Sequence, residues 1–181
     1  MEKNEFNMIF NRRTLSTEKL KELESLISTS YFSNEREIKE LQSKTVGLVK
    51  WNYKPTHSTP NQKLVHLDFY SPYRNHSLLK FIKENVLYNP NETIISIHTN
   101  TYFEESESPP HKDINSARTY LILLKQSEEG GILEIENQDV NFKVGEIIDY
   151  IGDTTLHSVT KIKKGDRKTF VLWCREKTSF I

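Results

Sequence analysis

Three side chains between positions 111 and 157 have the types and spacing of a metal site. His111 and Asp113 are separated by one residue, and His157 follows on a later segment. Pro109 and Pro110 favour an extended approach, in which residues i and i+2 point to the same side. Two imidazoles and one carboxylate bind non-haem Fe(II) on one face and leave the opposite positions open. The pattern therefore predicts a metal site made of His111, Asp113 and His157.

A candidate anion-binding group follows the second histidine. Arg167 lies ten residues beyond His157, after a turn at 163–166, and Thr169 shares its face of the next strand. A guanidinium binds a carboxylate through two parallel hydrogen bonds, and a nearby hydroxyl can add another. Trp173 is four positions further along the same face. Together with the metal site, this strand predicts an oxygenase that consumes a 2-oxoacid co-substrate.

The His-x-Asp pattern occurs twice, because His66 and Asp68 have the same spacing as the pair at 111 and 113. Taking the earlier pair as ligands would make His98 or His111 the distal histidine. The residues ten positions beyond those two are serine and leucine, which offer a carboxylate no cation. We therefore expect the later pair to bind the metal and His66 to be a polar residue on a strand face.

The remaining candidates are less specific. Tyr102 lies nine residues before His111, at the end of a predicted strand. Its phenol either donates to the co-substrate carboxylate, or lines the pocket, or packs in the core. His57, His76 and His98 have no partner at a useful spacing, so we expect them to be structural or exposed.

The elements that must position these residues change along the chain. In the first third, Leu20, Leu23 and Ile27 recur at helical spacing after a possible Ser16 cap. Two further helices are predicted at 34–41 and 75–88. In the last third, short apolar runs are separated by five of the six glycines, a pattern typical of strands.

The predicted strands alternate apolar and polar residues in several places, as half-buried strands do. They cover 45–51, 63–70, 93–103, 118–124, 132–136, 146–151, 156–162 and 168–175. About eight strands with short turns and flanking helices predict a mostly β protein, with a double-stranded β-helix of the jelly-roll or cupin-like type. Segment 50–62 is expected to be a long loop, either a lid or binding loop or a plain connection.

Composition limits the classes of protein. With 181 residues we expect one domain, in which 1–90 supply helical support and outer strands and 91–181 the metal-binding core. Lys plus Arg and Asp plus Glu are both 25, so no nucleic-acid partner is expected. Cys174 is the single cysteine, which excludes an internal disulfide. Without a membrane-length apolar run or a signal-like start, we expect a cytoplasmic protein with no membrane partner.

The last eighty residues resemble a known family. Tyr102, the His111-Lys-Asp113 pattern, the strand from Arg118, Gly130-Gly131, His157, Arg167 and Trp173 occur in the order seen in the 2-oxoglutarate- and Fe(II)-dependent dioxygenases. The likeness is to their prolyl-4-hydroxylase-like branch.

The resemblance implies roles for individual residues. His111, Asp113 and His157 would be the iron ligands at the catalytic centre. Arg167 would bind the distal carboxylate of 2-oxoglutarate, with Tyr102 as a second contact. Trp173 would lie near the substrate, and we assign Arg118 to the substrate pocket as well. The implied cofactors are Fe(II), 2-oxoglutarate and O2, with ascorbate as a supporting reductant.

One departure affects the co-substrate contacts. Relatives often carry a tyrosine late in the strand after Arg118, where this chain has Leu123 or Leu124. The implied activity is hydroxylation of a substrate C–H with release of succinate and CO2, most readily on a peptidyl, prolyl-type side chain. The alternatives are hydroxylation of a free amino acid or small metabolite, or a non-catalytic metal-binding cupin-like module. The substrate and the oligomeric state are left open.

Overall fold

The computed structural model describes residues 9–44, 65–113 and 115–175. In these ranges the helices are α1 (Thr17–Ser28), α2 (Glu35–Lys44) and α3 (His76–Asn85). The first six strands are β1 (Asn11–Thr14), β2 (Val65–Phe69), β3 (Thr93–Tyr102), β4 (Ser108–His111), β5 (Arg118–Lys125) and β6 (Glu129–Gly130). They are followed by β7 (Leu133–Ile135), β8 (Gln138–Val140), β9 (Glu146–Tyr150), β10 (His157–Val159), β11 (Ile162–Lys164) and β12 (Arg167–Arg175).

The strands form two main antiparallel sheets. The larger sheet has the order β1-β9-β5-β12-β3-β2, and the smaller has the order β4-β10-β7-β8. Strands β11 and β6 form a separate pair. This arrangement confirms the predicted mostly β fold with flanking helices, in which two sheets face each other as in a jelly roll.

The central strand β5 shows why the larger sheet is covered on both faces. Tyr120 and Ile122 belong to the core under the helices, whereas Leu121 and Leu123 belong to the core between the sheets. Alternate residues of a strand point to opposite faces, so one strand contributes to both cores. Full burial of such a side chain stabilises a fold by about 1.5–3 kcal/mol. The inner face of this sheet is the one that carries the site.

The helices follow the sequence patterns. Ser16 accepts a hydrogen bond from the backbone of Lys19 and so caps α1, and Leu23 and Ile27 are buried from that helix. At the start of α2, Asn34 and Glu37 each accept a hydrogen bond from the other's backbone N–H. This reciprocal capping satisfies two donors that a helix start would leave free.

Several boundaries differ from the prediction. The predicted strand at 156–162 is divided into β10 and β11. The polar edge strand β1 was missed because Asn-Arg-Arg-Thr has no apolar alternation, and β4 because it contains two prolines. Prolines are tolerated there because β4 is an edge strand. The predicted strand at 45–51 and the loop at 50–62 lie outside the described residues.

Among the described helices, none combines the length and the apolar character that crossing a membrane requires.

Candidate metal and carboxylate site

The two histidines of the predicted metal site face each other across a pair of strands. His111 ends β4 and His157 begins β10, and the two are register partners with ring centroids 4.2 Å apart. Asp113 Oδ1 lies 3.6 Å from His111 Nε2 and 3.5 Å from His157 Nε2. The three ligand atoms lie within 4.8 Å of one another, and the described residues contain no other such group of His, Cys, Asp and Glu side chains.

Backbone carbonyls fix which nitrogen of each ring carries the hydrogen. His111 Nδ1 donates to the Pro109 carbonyl at 2.9 Å, and His157 Nδ1 donates to the Thr155 carbonyl at 3.1 Å. A carbonyl can only accept, so Nδ1 of each ring is the protonated nitrogen. Each neutral ring therefore directs the lone pair of Nε2 toward the carboxylate, as a metal ligand must.

Asp113 is held through both its side chain and its backbone. Thr119 donates its hydroxyl hydrogen to Asp113 Oδ2 at 2.7 Å, and the Asp113 backbone N–H donates to the Gly152 carbonyl at 2.9 Å. A side chain at Gly152 would place its Cβ 2.6 Å from Thr119 Oγ1. Glycine is thus required at 152 to let this loop approach the threonine that orients the carboxylate.

Charge within the group of three favours an ionised carboxylate. Burial alone would raise the pKa of Asp113, but the imidazole of His157 and the hydroxyl of Thr119 lower it below its usual range. Burial and the neighbouring His157 lower the pKa of His111. Burial also opposes the charged form of His157, yet the adjacent carboxylate raises its pKa. An anionic carboxylate beside two imidazoles is the donor set that non-haem Fe(II) binds.

Arg167 is a buried cation without a carboxylate partner among the described residues. Only 2% of the Arg167 surface is accessible to solvent, and its NH1 group donates to Thr169 Oγ1 at 2.5 Å. Nε and NH2 are buried and have no hydrogen-bond partner among the residues that the structure describes. Burial lowers the pKa of Arg167 to about 10, which still leaves it charged at neutral pH. A buried guanidinium with free donors is costly unless an anion binds to it.

Unsatisfied polar atoms are concentrated around Arg167. Of six buried side-chain nitrogen and oxygen atoms without a partner in the described part of the chain, four belong to residues that line one cavity. They are Arg167 Nε and NH2, Asn100 Oδ1 and the Tyr150 hydroxyl. Buried polar groups are normally hydrogen-bonded, so this concentration indicates the place of a polar ligand.

Two phenols face the same part of the cavity. Tyr102 is the register partner of Arg167, and the guanidinium carbon lies 5.8 Å from its ring centroid. Burial raises the pKa of both Tyr102 and Tyr150, so each phenol remains a hydrogen-bond donor. Leu123, one of the two positions at which the family resemblance implies a tyrosine, lies in the core between the sheets. Tyr150, on the neighbouring strand β9, brings a phenol into the cavity instead.

Gly131 makes room for the arginine side chain. Its φ is +65°, and a Cβ there would lie 2.6 Å from Ser127 Oγ and 3.1 Å from Arg167 Cδ. Both the backbone conformation and the lack of space require glycine.

The far end of the cavity is aromatic. Trp173 and His98 line it, with ring centroids 4.9 Å apart, and Phe69 packs against the other side of His98 at 5.1 Å. Leu67 adds an apolar wall from β2. The cavity therefore combines a charged end at Arg167, the group of three ligands, and an uncharged aromatic end.

The assignment of Arg118 to the substrate pocket is a wrong prediction. Its guanidinium lies 2.6 Å from Asp149 on the helix-covered side of the sheet, and Arg118 is not among the residues that line the cavity. The alternation of β5 explains the error, since Thr119 and Leu121 face the site and Arg118 therefore points to the opposite face.

The other His-x-Asp pair lies outside the cavity. His66 Nε2 is 2.8 Å from Asp68 Oδ1, and these residues alternate with Leu67 and Phe69, which face the cavity. Sequence reasoning missed Thr119, Asn100 and Tyr150, and it treated His98 as structural or exposed. Strand alternation is the signal that could have found Thr119 and Tyr150, because both share a face with residues already assigned to the inner core.

Solved structures with a similar fold identify the fold class of this chain. The chain is similar to a viral collagen prolyl hydroxylase from Paramecium Bursaria Chlorella virus-1 in its 2OG complex, with 15% identity, a TM-score of 0.61, and coverage of 92% of this chain and 96% of that one. It is also similar to an oxidoreductase of the 2OG-Fe(II) oxygenase family from Burkholderia pseudomallei, with 10% identity, a TM-score of 0.64 and coverage of 92% and 84%.

A Pseudomonas putida prolyl-4-hydroxylase is similar over 93% of both chains, with 14% identity and a TM-score of 0.58. No protein-family model matches this chain, and no curated protein sequence matches it. The protein therefore has the jelly-roll fold of the 2-oxoglutarate and Fe(II) oxygenases, and its site carries a His-Asp-His group inside that fold.

Proposed function

We propose that this protein is a 2-oxoglutarate- and Fe(II)-dependent dioxygenase that hydroxylates a substrate C–H bond. The observation that carries the proposal is the position of Arg167. It is a buried cation whose Nε and NH2 lack partners in the described part of the chain, and it shares a cavity with His111, Asp113 and His157. A metal-binding module without a co-substrate would not need a desolvated guanidinium beside the metal.

The metal ligands would be His111, Asp113 and His157. Their chemistry fits Fe(II), because the two Nε2 lone pairs and the carboxylate converge while Nδ1 of each ring is held by a backbone carbonyl. Thr119 would keep the Asp113 carboxylate oriented before and after metal binding.

The co-substrate site would be formed by Arg167, Thr169 and Tyr102. Arg167 would offer Nε and NH2, which have no partner among the described residues, to the distal carboxylate of 2-oxoglutarate, while Thr169 holds NH1 in place. Burial raises the pKa of Tyr102, whose ring centroid lies 5.8 Å from the guanidinium carbon of Arg167, so its phenol would donate a hydrogen bond to the same anion. Asn100 would satisfy its buried amide oxygen against this ligand or its bound water, and the phenol of Tyr150, whose pKa burial and the nearby Asp113 both raise, would donate to that carboxylate or to the ligand.

When bound, Fe(II) and 2-oxoglutarate supply the oxidising chemistry: one atom of O2 enters the substrate as hydroxyl, the other enters succinate, and the carboxyl carbon leaves as CO2. The chain's own residues exclude water from this reaction. Val171, Leu121 and Trp173 line the cavity with apolar surface between the two sheets.

We infer further that the substrate is a peptidyl side chain of the prolyl type. Two of the similar structures are prolyl hydroxylases, and one of them is a collagen prolyl hydroxylase. The aromatic end formed by Phe69, His98 and Trp173 carries no charge, which suits an apolar ring. Free amino acids and small metabolites are the alternative substrates, and the experiment includes them.

The test is succinate release with Fe(II), 2-oxoglutarate, O2 and ascorbate as the supporting reductant. Blocked proline-containing peptides, proline-free peptides and free amino acids are compared as substrates. We expect peptide-dependent succinate release that is lost in Arg167→Met and retained in Lys168→Met, its neighbour on the same strand. Release that depends on free amino acids would replace the peptidyl proposal, and wild-type protein that binds no 2-oxoglutarate would overturn the dioxygenase.

A further inference from the structure

His98 lies in the cavity at a distance from the co-substrate end. It pairs with Val171 on β12, whereas Tyr102, four positions further along β3, pairs with Arg167. Four strand residues span about 13 Å. His98 and Arg167 therefore line different parts of the cavity, and we take the part beside His98 as the space that remains for the substrate.

The imidazole of His98 is fixed on three sides. Phe69 packs against one side of the ring, and Trp173 makes a T-shaped contact with it at an interplanar angle of 72°. Ser96 Oγ lies 2.9 Å from Nδ1. A buried ring with these contacts has one orientation, in the way that supporting contacts orient a binding group.

The serine also determines the position of the ring hydrogen. Ser96 is 2% exposed, and its hydroxyl has no other acceptor among the described residues. A buried hydroxyl needs an acceptor for its hydrogen, so Ser96 donates to Nδ1. The neutral ring then carries its hydrogen on Nε2, which makes Nε2 a donor.

Nε2 of His98 has no hydrogen-bond partner in the part of the chain that the structure describes. His98 lines the cavity, and we infer that Nε2 is the atom of the ring that faces it, since Nδ1 is held by Ser96. Burial lowers the pKa of His98 to about 4, which keeps the ring uncharged at neutral pH. An uncharged N–H in aromatic surroundings pairs best with an uncharged acceptor, because an ion would lose its hydration there.

We propose that His98 is a substrate-binding residue whose Nε2–H donates to an uncharged carbonyl oxygen of the substrate, namely a peptide carbonyl next to the side chain that is hydroxylated. This inference rests on the proposed function, because it takes Arg167 and the metal ligands as the co-substrate end. It makes His98 a determinant of specificity for a peptide over a free amino acid, whose carboxylate is charged.

The test uses full-length protein loaded with Mn(II) and 2-oxoglutarate, so that binding is measured without turnover. The probes are acetylated tripeptide amides with a central proline, valine or leucine, and the corresponding free amino acids. His98→Leu removes the donor, His98→Gln returns an N–H near the position of Nε2, and His76→Leu is the same replacement at an exposed helix position.

We expect at least one peptide to bind wild-type protein and His76→Leu equally. His98→Leu should weaken that binding about tenfold to a hundredfold, and His98→Gln should restore most of it. The inference is overturned if no peptide binds wild-type protein more tightly than His98→Leu, or if only free amino acids depend on His98. Affinity for 2-oxoglutarate is measured in the same series. Equal affinity in wild-type protein and His98→Leu leaves the proposed function intact, whereas no affinity in either rejects it.

A second measurement does not depend on a variant's folding. Nitrogen-15 NMR of labelled histidine distinguishes the two neutral tautomers directly. We expect His98 to carry its hydrogen on Nε2 at neutral pH. A hydrogen on Nδ1 would overturn the donor role.

Discussion

His111 and His157 lie on two paired strands, and each imidazole makes the same kind of hydrogen bond to its own backbone segment. Each ring donates from Nδ1 to the carbonyl of the residue two positions before it, which is Pro109 for one and Thr155 for the other. The rings are therefore oriented before any ion binds, with Nε2 of each within 3.6 Å of Asp113 Oδ1. This preorganisation of the ligands makes the metal site testable residue by residue.

Removal of a ligand should abolish metal binding, whereas removal of the other His-x-Asp histidine should not. We expect His157→Ala to weaken Mn(II) binding by more than about a hundredfold, which exceeds the usual effect of losing a supporting contact. His66→Ala is the matched control, because His66 pairs with Asp68 on the opposite side of β2. Isothermal calorimetry measures both. Loss of Mn(II) binding in His66→Ala would show that the metal is bound by the His66 and Asp68 pair instead.

Thr119→Val should weaken metal binding without removing a ligand. The replacement keeps the shape of the side chain but takes away the hydroxyl that donates to Asp113 Oδ2. We expect Mn(II) affinity to fall about tenfold to a hundredfold. Thr99→Val serves as the control, since Thr99 is equally buried and its hydroxyl contacts Tyr70 instead. Equal affinities for the two variants would remove Thr119 from the site.

Arg167→Met should have opposite effects on co-substrate binding and on stability. Loss of the charge-assisted hydrogen bonds should weaken 2-oxoglutarate binding by about 3 kcal/mol, or roughly a hundredfold. The ligand-free protein should gain about 1 kcal/mol in its free energy of unfolding, because a buried cation with no carboxylate partner among the described residues is replaced by an apolar chain. Calorimetry and urea unfolding measure the two, with Lys168→Met as the control. Unchanged 2-oxoglutarate affinity would exclude Arg167 from the carboxylate site.

Gly131→Ala should disturb the arginine as well as the backbone. The new Cβ would meet Ile162 Cδ1 at 2.5 Å and crowd Arg167 Cδ at 3.1 Å. Gly145→Ala is the matched control: its φ is +84°, but its nearest contact is Leu20 Cδ2 at 3.4 Å. We expect both variants to be destabilised by about 1 kcal/mol or more. Only Gly131→Ala should lose 2-oxoglutarate affinity, and an equal loss in both would contradict the role of Gly131.

Metal affinity should fall as the solution becomes acidic. Burial lowers the pKa of His157 and the Asp113 carboxylate raises it, and the net shift is upward. His157 must be neutral to bind a metal, so protons compete with the ion below that raised pKa. The His157–Asp113 attraction has the reverse effect on metal-free protein: its stabilisation is complete at acid pH and is lost as the pH rises through the folded-state pKa.

The measurement is Mn(II) affinity between about pH 8 and pH 5.5, a window that brackets the ordinary pKa of histidine. We expect a decline toward acid of up to about tenfold per pH unit for one competing proton. A flat profile would show that His157 does not exchange a proton for the metal.

The residues of the metal and carboxylate site could be predicted from the sequence because few residues have the required chemistry at the required spacing. One pairing of a His-x-Asp pattern with a later histidine and a cation was available, and the structure brings these four residues into one cavity. Their roles as ligands of iron and 2-oxoglutarate remain predictions. The mostly β architecture was predictable for a different reason, since alternating apolar residues and glycine turns specify strands locally.

The rest of the site depends on contacts between segments distant in sequence. Two examples depend on the observed strand registers. Thr119 reaches the Asp113 carboxylate, and His98 contacts both Phe69 and Trp173, only when the strands pair as they do here. Arg118 is the opposite case, a residue that was assigned to the site but lies on the other face of the sheet. The assignment was made together with the family resemblance, but the pleat of β5 turns Arg118 toward Asp149.

A crystal structure of the protein with Mn(II) and 2-oxoglutarate tests the central claim most directly. We predict the ion on His111, Asp113 and His157, and the distal carboxylate of 2-oxoglutarate on the Nε and NH2 groups of Arg167. Metal bound elsewhere, or a carboxylate that leaves the Arg167 guanidinium without a partner, would contradict the account.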